Sequence, residues 1–136
     1  RVCKRYGKVS VLELKDDFSR AQLEEIIAIL RAEGQLENVV FIAFALENLL
    51  RLREILPEQP AQYLVSRMEE GVEQALLAHG LDLDAHYAAV DAALVQRLHA
   101  HGRKVNCWTV DAPEEARRLV AMGVDYITSN ILEGGD

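Results

Sequence analysis

Apolar positions along this chain recur with two periods, and the periods take turns. Residues 8–14 alternate in the manner of a strand. From Ser19 the spacing changes: Leu23, Ile26, Ile27 and Leu30 fall at i, i+3, i+4 and i+7, one face of a helix. Ser19 with Gln22 three residues on reads as a capping box, and Gly34 as a C-terminal stop. Residues 39–44 are nearly all apolar, as expected of a strand covered on both faces. A helix over 45–55 follows, carrying Leu46, Leu49 and Leu50, and Pro57 and Pro60 end it.

The alternation continues to the far end. A short strand at 62–65 precedes a helix at 68–79, with Val72, Ala75 and Leu76 inward. A strand at 81–85 precedes a helix at 87–101 with Val90, Leu94 and Leu98 on its apolar face. A strand at 104–110 leads into a helix that Asp111 and Glu114 are placed to cap, with Leu119 and Val120 toward the core. A last strand spans 125–129, and residues 131–136 read as irregular. Strands alternating with helices at roughly 20–30-residue spacing predict parallel βα units. A closed (β/α)8 barrel needs eight units and typically ~250 residues. Six units in 136 residues are therefore either an open sheet or a barrel lacking two units.

Composition narrows the partners more than the fold. A net charge of -7 argues against a nucleic-acid footprint. An anionic ligand would need local basic groups or a metal against that background. The two cysteines, Cys3 and Cys107, provide neither a disulfide framework nor zinc spacing. No apolar run approaches the ~18 residues of a membrane span. No signal peptide is visible, so the expected location is cytoplasmic. The chain opens on Arg1, and a preceding segment is expected.

The residues with candidate chemistry lie at strand ends. Glu13 and Lys15 are two apart on a strand and so project from one face, at its C-terminal end. In parallel α/β folds active sites lie at that end. A carboxylate there can ligate a hard divalent cation, and a lysine can hold a phosphate. The bland alternative is a solvated strand end or an ion pair. Trp108 shares a face with Asn106 and Val110 near another strand end, as a core residue or as an apolar pocket wall. Asp16 and Asp17 read as a polar loop rather than a Mg²⁺ pair. Of the histidines, His79 and His101 sit at helix ends and His99 on a helix. With the strand ended at Ala85, His86 too falls away from a strand C-terminus, so none is expected to act as acid or base. Thr128, Ser129 and Asn130 are candidate phosphate donors or simple caps. No Gly-rich phosphate loop or nucleophile elbow occurs.

One stretch carries a family resemblance. Val105-Asn106-Cys107-Trp108-Thr109-Val110-Asp111, a helix, then Gly123-Val124-Asp125-Tyr126-Ile127-Thr128-Ser129-Asn130 resembles the C-terminal signature of glycerophosphodiester phosphodiesterases. His99-Ala100-His101-Gly102 is similar to that family's "H-x-x-G" lead-in, and Val11-Leu12-Glu13-Leu14-Lys15 to its "I-E-[LI]-K" strand. The resemblance implies a partial TIM (β/α)8 barrel of six parallel βα units, with residues 1–136 forming an N-terminally truncated domain. It implies metal-dependent hydrolysis of glycerophosphodiesters, as small-molecule substrates, to glycerol 3-phosphate and an alcohol. It implies a divalent cation, Mg²⁺ or Ca²⁺, with Glu13 as one ligand, Lys15 on the phosphate and Trp108 lining the pocket.

The family's acid/base histidines belong to an "H-R-G" and a later "H-D", and its other metal carboxylates to an "E-x-D". None has a counterpart in this sequence, so no catalytic acid or base is assigned and the chain alone is expected to be inactive or nearly so. Ile42-Ala43-Phe44 also departs from the family's "S-S-F", losing two hydroxyls. A barrel without its first two units is expected to expose the edges of its outermost strands. Two alternatives remain: a complete flavodoxin-like signalling or binding module, and a non-catalytic barrel remnant that binds a partner or lipid headgroup.

Overall fold

The computed structural model describes residues 2–6 and 9–128, with side chains from Val11 onward, and divides into two compact units, Arg1–Tyr63 and Leu64–Asp136. In the first, β1 (Val2–Tyr6) and β2 (Val9–Glu13) form an antiparallel hairpin, Val2 opposite Glu13 and Tyr6 opposite Val9. β3 (Val39–Ala43) and β4 (Ala61–Val65) then add in parallel, Glu13 opposite Ile42 and Ile42 opposite Gln62. The hairpin corrects one expectation. The edge of β2 that a shortened barrel would leave bare is paired with β1, so its backbone donors and acceptors are satisfied from within the chain.

The helices follow their local signals. α1 (Arg20–Ala32) starts at the capping box read from the sequence: Ser19 Oγ accepts from Gln22 N at 3.2 Å, and Gln22 Oε1 accepts from Ser19 N at 2.9 Å. Its inward side chains Leu23 and Ile27 are fully buried, with Ile26 and Leu30 at the margins of the stripe. Beyond its end Gly34 takes φ +69°, a left-handed turn that a β-carbon would disfavour. α2 (Leu46–Ile55) contributes Leu49 and Leu52. These meet Leu12 and Leu14 of the β2 segment and Val39, Phe41 and Ala43 of β3, all buried. Burial of a side chain like Phe41 contributes about 1.5–3 kcal/mol. β3 is not covered equally on both faces. Val40 and Ile42 are half-buried, because among the described residues of this unit the helices pack against the other face.

The second unit holds α3 (Val72–His79), β5 (Asp82–His86), a 3-10 turn (Tyr87–Ala89), α4 (Ala92–Ala100), β6 (Val105–Trp108), α5 (Pro113–Met122) and β7 (Tyr126–Ile127). β5, β6 and β7 are parallel neighbours, Asp84 opposite Asn106 and Asn106 opposite Tyr126. Leu83, Ala85, Val105 and Cys107 turn to the helices, where Leu76, Leu98 and Leu119 are fully buried.

Several boundaries differ from the sequence reading. α3 begins at Val72 because Gly71, at φ +90°, turns the chain just before it. α4 begins at Ala92, where Asp91 Oδ1 accepts from Leu94 N at 2.8 Å, so Val90 precedes the helix in extended backbone. α5 has no Asp111–Glu114 box. Pro113 takes the first helical position, which suits its fixed φ, and Ala112 becomes the N-cap. Val120 is 64% exposed while its neighbour Leu119 is fully buried, since adjacent helical residues lie ~100° apart and one narrow stripe holds only one of them. β7 is shorter than expected. The end of that strand at Ser129, Asn130 and the 131–136 tail lie outside the described residues.

Candidate active site

Two strand-end rims carry the candidate chemistry, one in each unit. In the first, Leu12 and Leu14 are buried against helices, which turns Glu13 and Lys15 to the opposite face as the period of two requires. Glu13 ends β2 and is half-buried, and Lys15 is exposed. Glu13 lies in one row with Ile42 and the buried Gln62 across β2, β3 and β4. Phe44, just past β3, is 52% exposed.

The loop that follows Lys15 is held by a residue the sequence reading passed over. Asn48 is fully buried on α2. Its Oδ1 accepts from Phe18 N at 2.9 Å, and its Nδ2 donates to the Asp16 carbonyl at 2.7 Å and the Leu14 carbonyl at 3.5 Å. One amide thus serves the loop backbone on both sides of Asp17. Arg51, one helical turn on, donates to the Phe18 carbonyl at 2.9 Å and pairs with the Asp17 carboxylate at 2.7 Å. Asp16 and Asp17 therefore belong to a braced polar loop, as read. The available signal for Asn48 was a lone amide among Leu46, Leu49 and Leu50.

In the second unit the face opposite the buried core carries Asp84, Asn106 and Tyr126 in one row and His86 opposite Trp108 in the next. Trp108 Nε1 donates to the Asp84 carbonyl at 3.0 Å, which fixes the indole. His86 packs against that indole with ring centres 5.4 Å apart and planes at 87°, and stacks on Tyr87 at 4.4 Å. The Thr128 hydroxyl donates to Asn106 Oδ1 at 3.4 Å. His86 is a correction. It is the last residue of β5, at a strand C-terminus, and not beyond the strand. The polar spacing Asp82, Asp84, His86 between Leu81, Leu83 and Ala85 carried that information. The other histidines stand as read: His79 ends α3, His101 caps α4, and His99 on α4 lies 2.7 Å from Asp125.

Cys107, on the opposite face of β6, is fully buried. Burial, and then the negative charge of Asp84, push its thiol up to about 12. The thiolate is the reactive form, so Cys107 should stay unmodified by iodoacetamide in the native chain near pH 8 and react fully once guanidinium unfolds it. Peptide mapping by mass spectrometry reads this directly. Labelling of the native chain at Cys107 would show that the core opens at this strand.

Residues 4–133 match the model of the glycerophosphoryl diester phosphodiesterase family. The chain belongs to that family. Its strand–helix units have counterparts in solved structures, all similar over most of this chain. A protein of Silicibacter pomeroyi DSS-3 assigned as a glycerophosphoryl diester phosphodiesterase is 29% identical, with a TM-score of 0.77 over 88% of this chain and 45% of its own. A glycerophosphodiester phosphodiesterase of Parabacteroides distasonis is 23% identical, with a TM-score of 0.79 over 91% of this chain and 54% of its own. A phosphodiesterase of Oleispira antarctica, solved with its product sn-glycerol-3-phosphate, is 20% identical, with a TM-score of 0.68 over 81% and 45%. The latter two bear on the fold alone. The chain spans about half the length of these structures. No curated protein matches it.

Phosphodiesterases of this family are TIM barrels, and the six parallel strands with their helices are the corresponding part of a (β/α)8 barrel. The flavodoxin-like alternative is set aside by that match. Among the described residues no three His, Cys, Asp or Glu side chains come together as a metal site would require. Mg²⁺ and Ca²⁺ take six or more oxygen ligands, so Glu13 with its described neighbours does not by itself make a cation site. No helix among the described residues is long and apolar enough to cross a membrane.

Proposed function

We propose that residues 1–136 are part of one phosphodiesterase domain that hydrolyses glycerophosphodiesters to glycerol 3-phosphate and an alcohol. The family match over residues 4–133 carries this reading. The Silicibacter pomeroyi protein, 29% identical and assigned as a glycerophosphoryl diester phosphodiesterase, supports the substrate class. In this reading Lys15 meets the phosphate. An exposed ammonium at a strand end supplies positive charge where the phosphoryl oxygens gain negative charge, and a preorganised charge of that kind lowers the barrier. Trp108 walls the pocket with an indole already fixed by the Asp84 carbonyl. Glu13 is proposed as one ligand of a divalent cation, Mg²⁺ or Ca²⁺, whose site the described residues do not complete. For the same reason the chain alone is proposed to be inactive or nearly so.

The test is release of glycerol 3-phosphate from glycerophosphocholine with Mg²⁺, Ca²⁺ or EDTA. This chain is assayed beside a form extended upstream by two βα units. Turnover is expected in the extended form only, with loss in EDTA. Glu13→Ala and Lys15→Ala should each lower kcat by ~10²-fold or more, the usual scale for removing one stabilising group. No release from any glycerophosphodiester by either form would remove the enzyme reading and favour a headgroup-binding remnant. Turnover by the short chain would show instead that its own residues suffice.

A further inference from the structure

His86 has no part in the reading above, yet its ring is placed and polarised. Ala88 N donates to His86 Nδ1 at 3.1 Å, closing the 3-10 turn after β5. An Nδ1 that accepts puts the proton of the neutral ring on Nε2. Nε2 is then a hydrogen-bond donor with no protein acceptor among the described residues, on a ring that is only half-buried. Beside it stands Trp108, whose own N–H is spent on the Asp84 carbonyl, so the indole offers an apolar surface. A fixed donor at right angles to an aromatic plane suits a polyol: its C–H edge lies on the ring while a hydroxyl oxygen accepts from the donor.

We propose that His86 and Trp108 form a corner that binds the glycerol moiety of the substrate, with His86 Nε2–H donating to a glycerol hydroxyl. The proposal rests on the phosphodiesterase reading and names a specificity residue within it. Charge separates glycerol from the other parts of such a substrate. Arg118, which reaches the Tyr87 carbonyl at 3.4 Å, is already paired with Glu115 at 2.7 Å. A quaternary ammonium headgroup has no acceptor for the Nε2 proton and leaves that donor unmatched.

Trp108 is the sole tryptophan, so its emission reports on the corner alone. The experiment titrates the 136-residue chain with sn-glycerol 3-phosphate, inorganic phosphate and tetramethylammonium, following fluorescence and the ¹⁵N shift of His86 Nε2. Glycerol 3-phosphate is expected to change both signals and to bind ~10-fold or more tightly than phosphate or tetramethylammonium, the scale of one well-made hydrogen bond. Two amides then divide the roles of the ring. Asparagine places its oxygen near Nδ1 and keeps the Ala88 cap; glutamine places its amide near Nε2. His86→Gln should bind within about threefold of the parent, and His86→Asn should lose ~10-fold while melting like it. Binding by His86→Asn equal to that of the parent, a preference for tetramethylammonium, or an unmoved Nε2 signal in the saturated parent would each overturn the corner while leaving the phosphodiesterase reading in place. A parent chain that responds to none of the three ligands would likewise overturn the corner, while the substrate class is decided separately by turnover in the extended form.

Discussion

Replacing Asn48 with Ala is expected to destabilise the first unit by ~2–4 kcal/mol, because three hydrogen bonds to one loop are lost in a buried place. The side chain is fully buried, so water does not readily take over its partners, and truncation leaves a cavity beside Leu49 and Leu52. Leu in place of Ala fills the space without restoring the bonds. It should recover less than half of the loss if the hydrogen bonds dominate. Asp keeps the acceptor for Phe18 N but gives up the donor to the Asp16 carbonyl, and should be at least as damaging because it also buries a charge. Denaturant melts measure the stability. Amide exchange at Phe18 measures the loop itself, and its protection should fall in the Ala and Leu variants, which lose its acceptor, and less in the Asp variant. A variant that melts normally with Phe18 still protected would show that Arg51 alone braces the loop through its bonds to Asp17 and Phe18. The consequence reaches the first rim, since Lys15 lies between two carbonyls that Asn48 holds, those of Leu14 and Asp16.

The second large effect is at Trp108. Trp108→Ala should cost about 2–3 kcal/mol, below the range for fully buried aromatics because this ring is only half-buried. It removes the Nε1–H donor to the Asp84 carbonyl and the perpendicular contact with His86. Trp108→Phe keeps an aromatic face but not the donor, and should cost ~1 kcal/mol. Function separates the two variants. In the form extended upstream, KM for glycerophosphocholine should rise ~10-fold or more in the Ala variant and much less in the Phe variant, with smaller changes in kcat. Equal KM values in parent and Ala variant would place Trp108 in the packing of this unit and outside the pocket.

Much of the fold was legible because its signals are local. The Ser19–Gln22 box is made by residues three apart, and the α1 stripe by residues three and four apart. Gly34, Gly80, Gly102 and Gly123 all take positive φ near helix ends, where no long-range contact is needed to explain them. Glu13 and Lys15 share a face because strand geometry alternates, whatever packs around them. Where two local signals compete, the outcome needed more. At Asp111-Ala112-Pro113-Glu114 the proline outweighed the box. At Asp91 a cap three residues before Leu94 outweighed the apolar periodicity that seemed to start at Tyr87.

His86 and Asn48 show the other limit. A strand end moved by one residue takes His86 from a loop to a site rim, and the pairing of His86 with Trp108, 22 positions away, decides it. Asn48 works through bonds to residues 30 to 34 positions earlier, which no window along the chain contains. The order of the six parallel strands and their helices, the family and the common face of Glu13 and Lys15 were therefore determined by the sequence itself, since periodicity, caps and motifs act over a few residues; the strand Val2–Tyr6 was not read. The pairing of the β2 edge by β1, the bracing of the Lys15 loop and the His86–Trp108 corner were decided only in the tertiary structure, because the hydrogen bonds and ring contacts that create them join segments that the chain keeps apart.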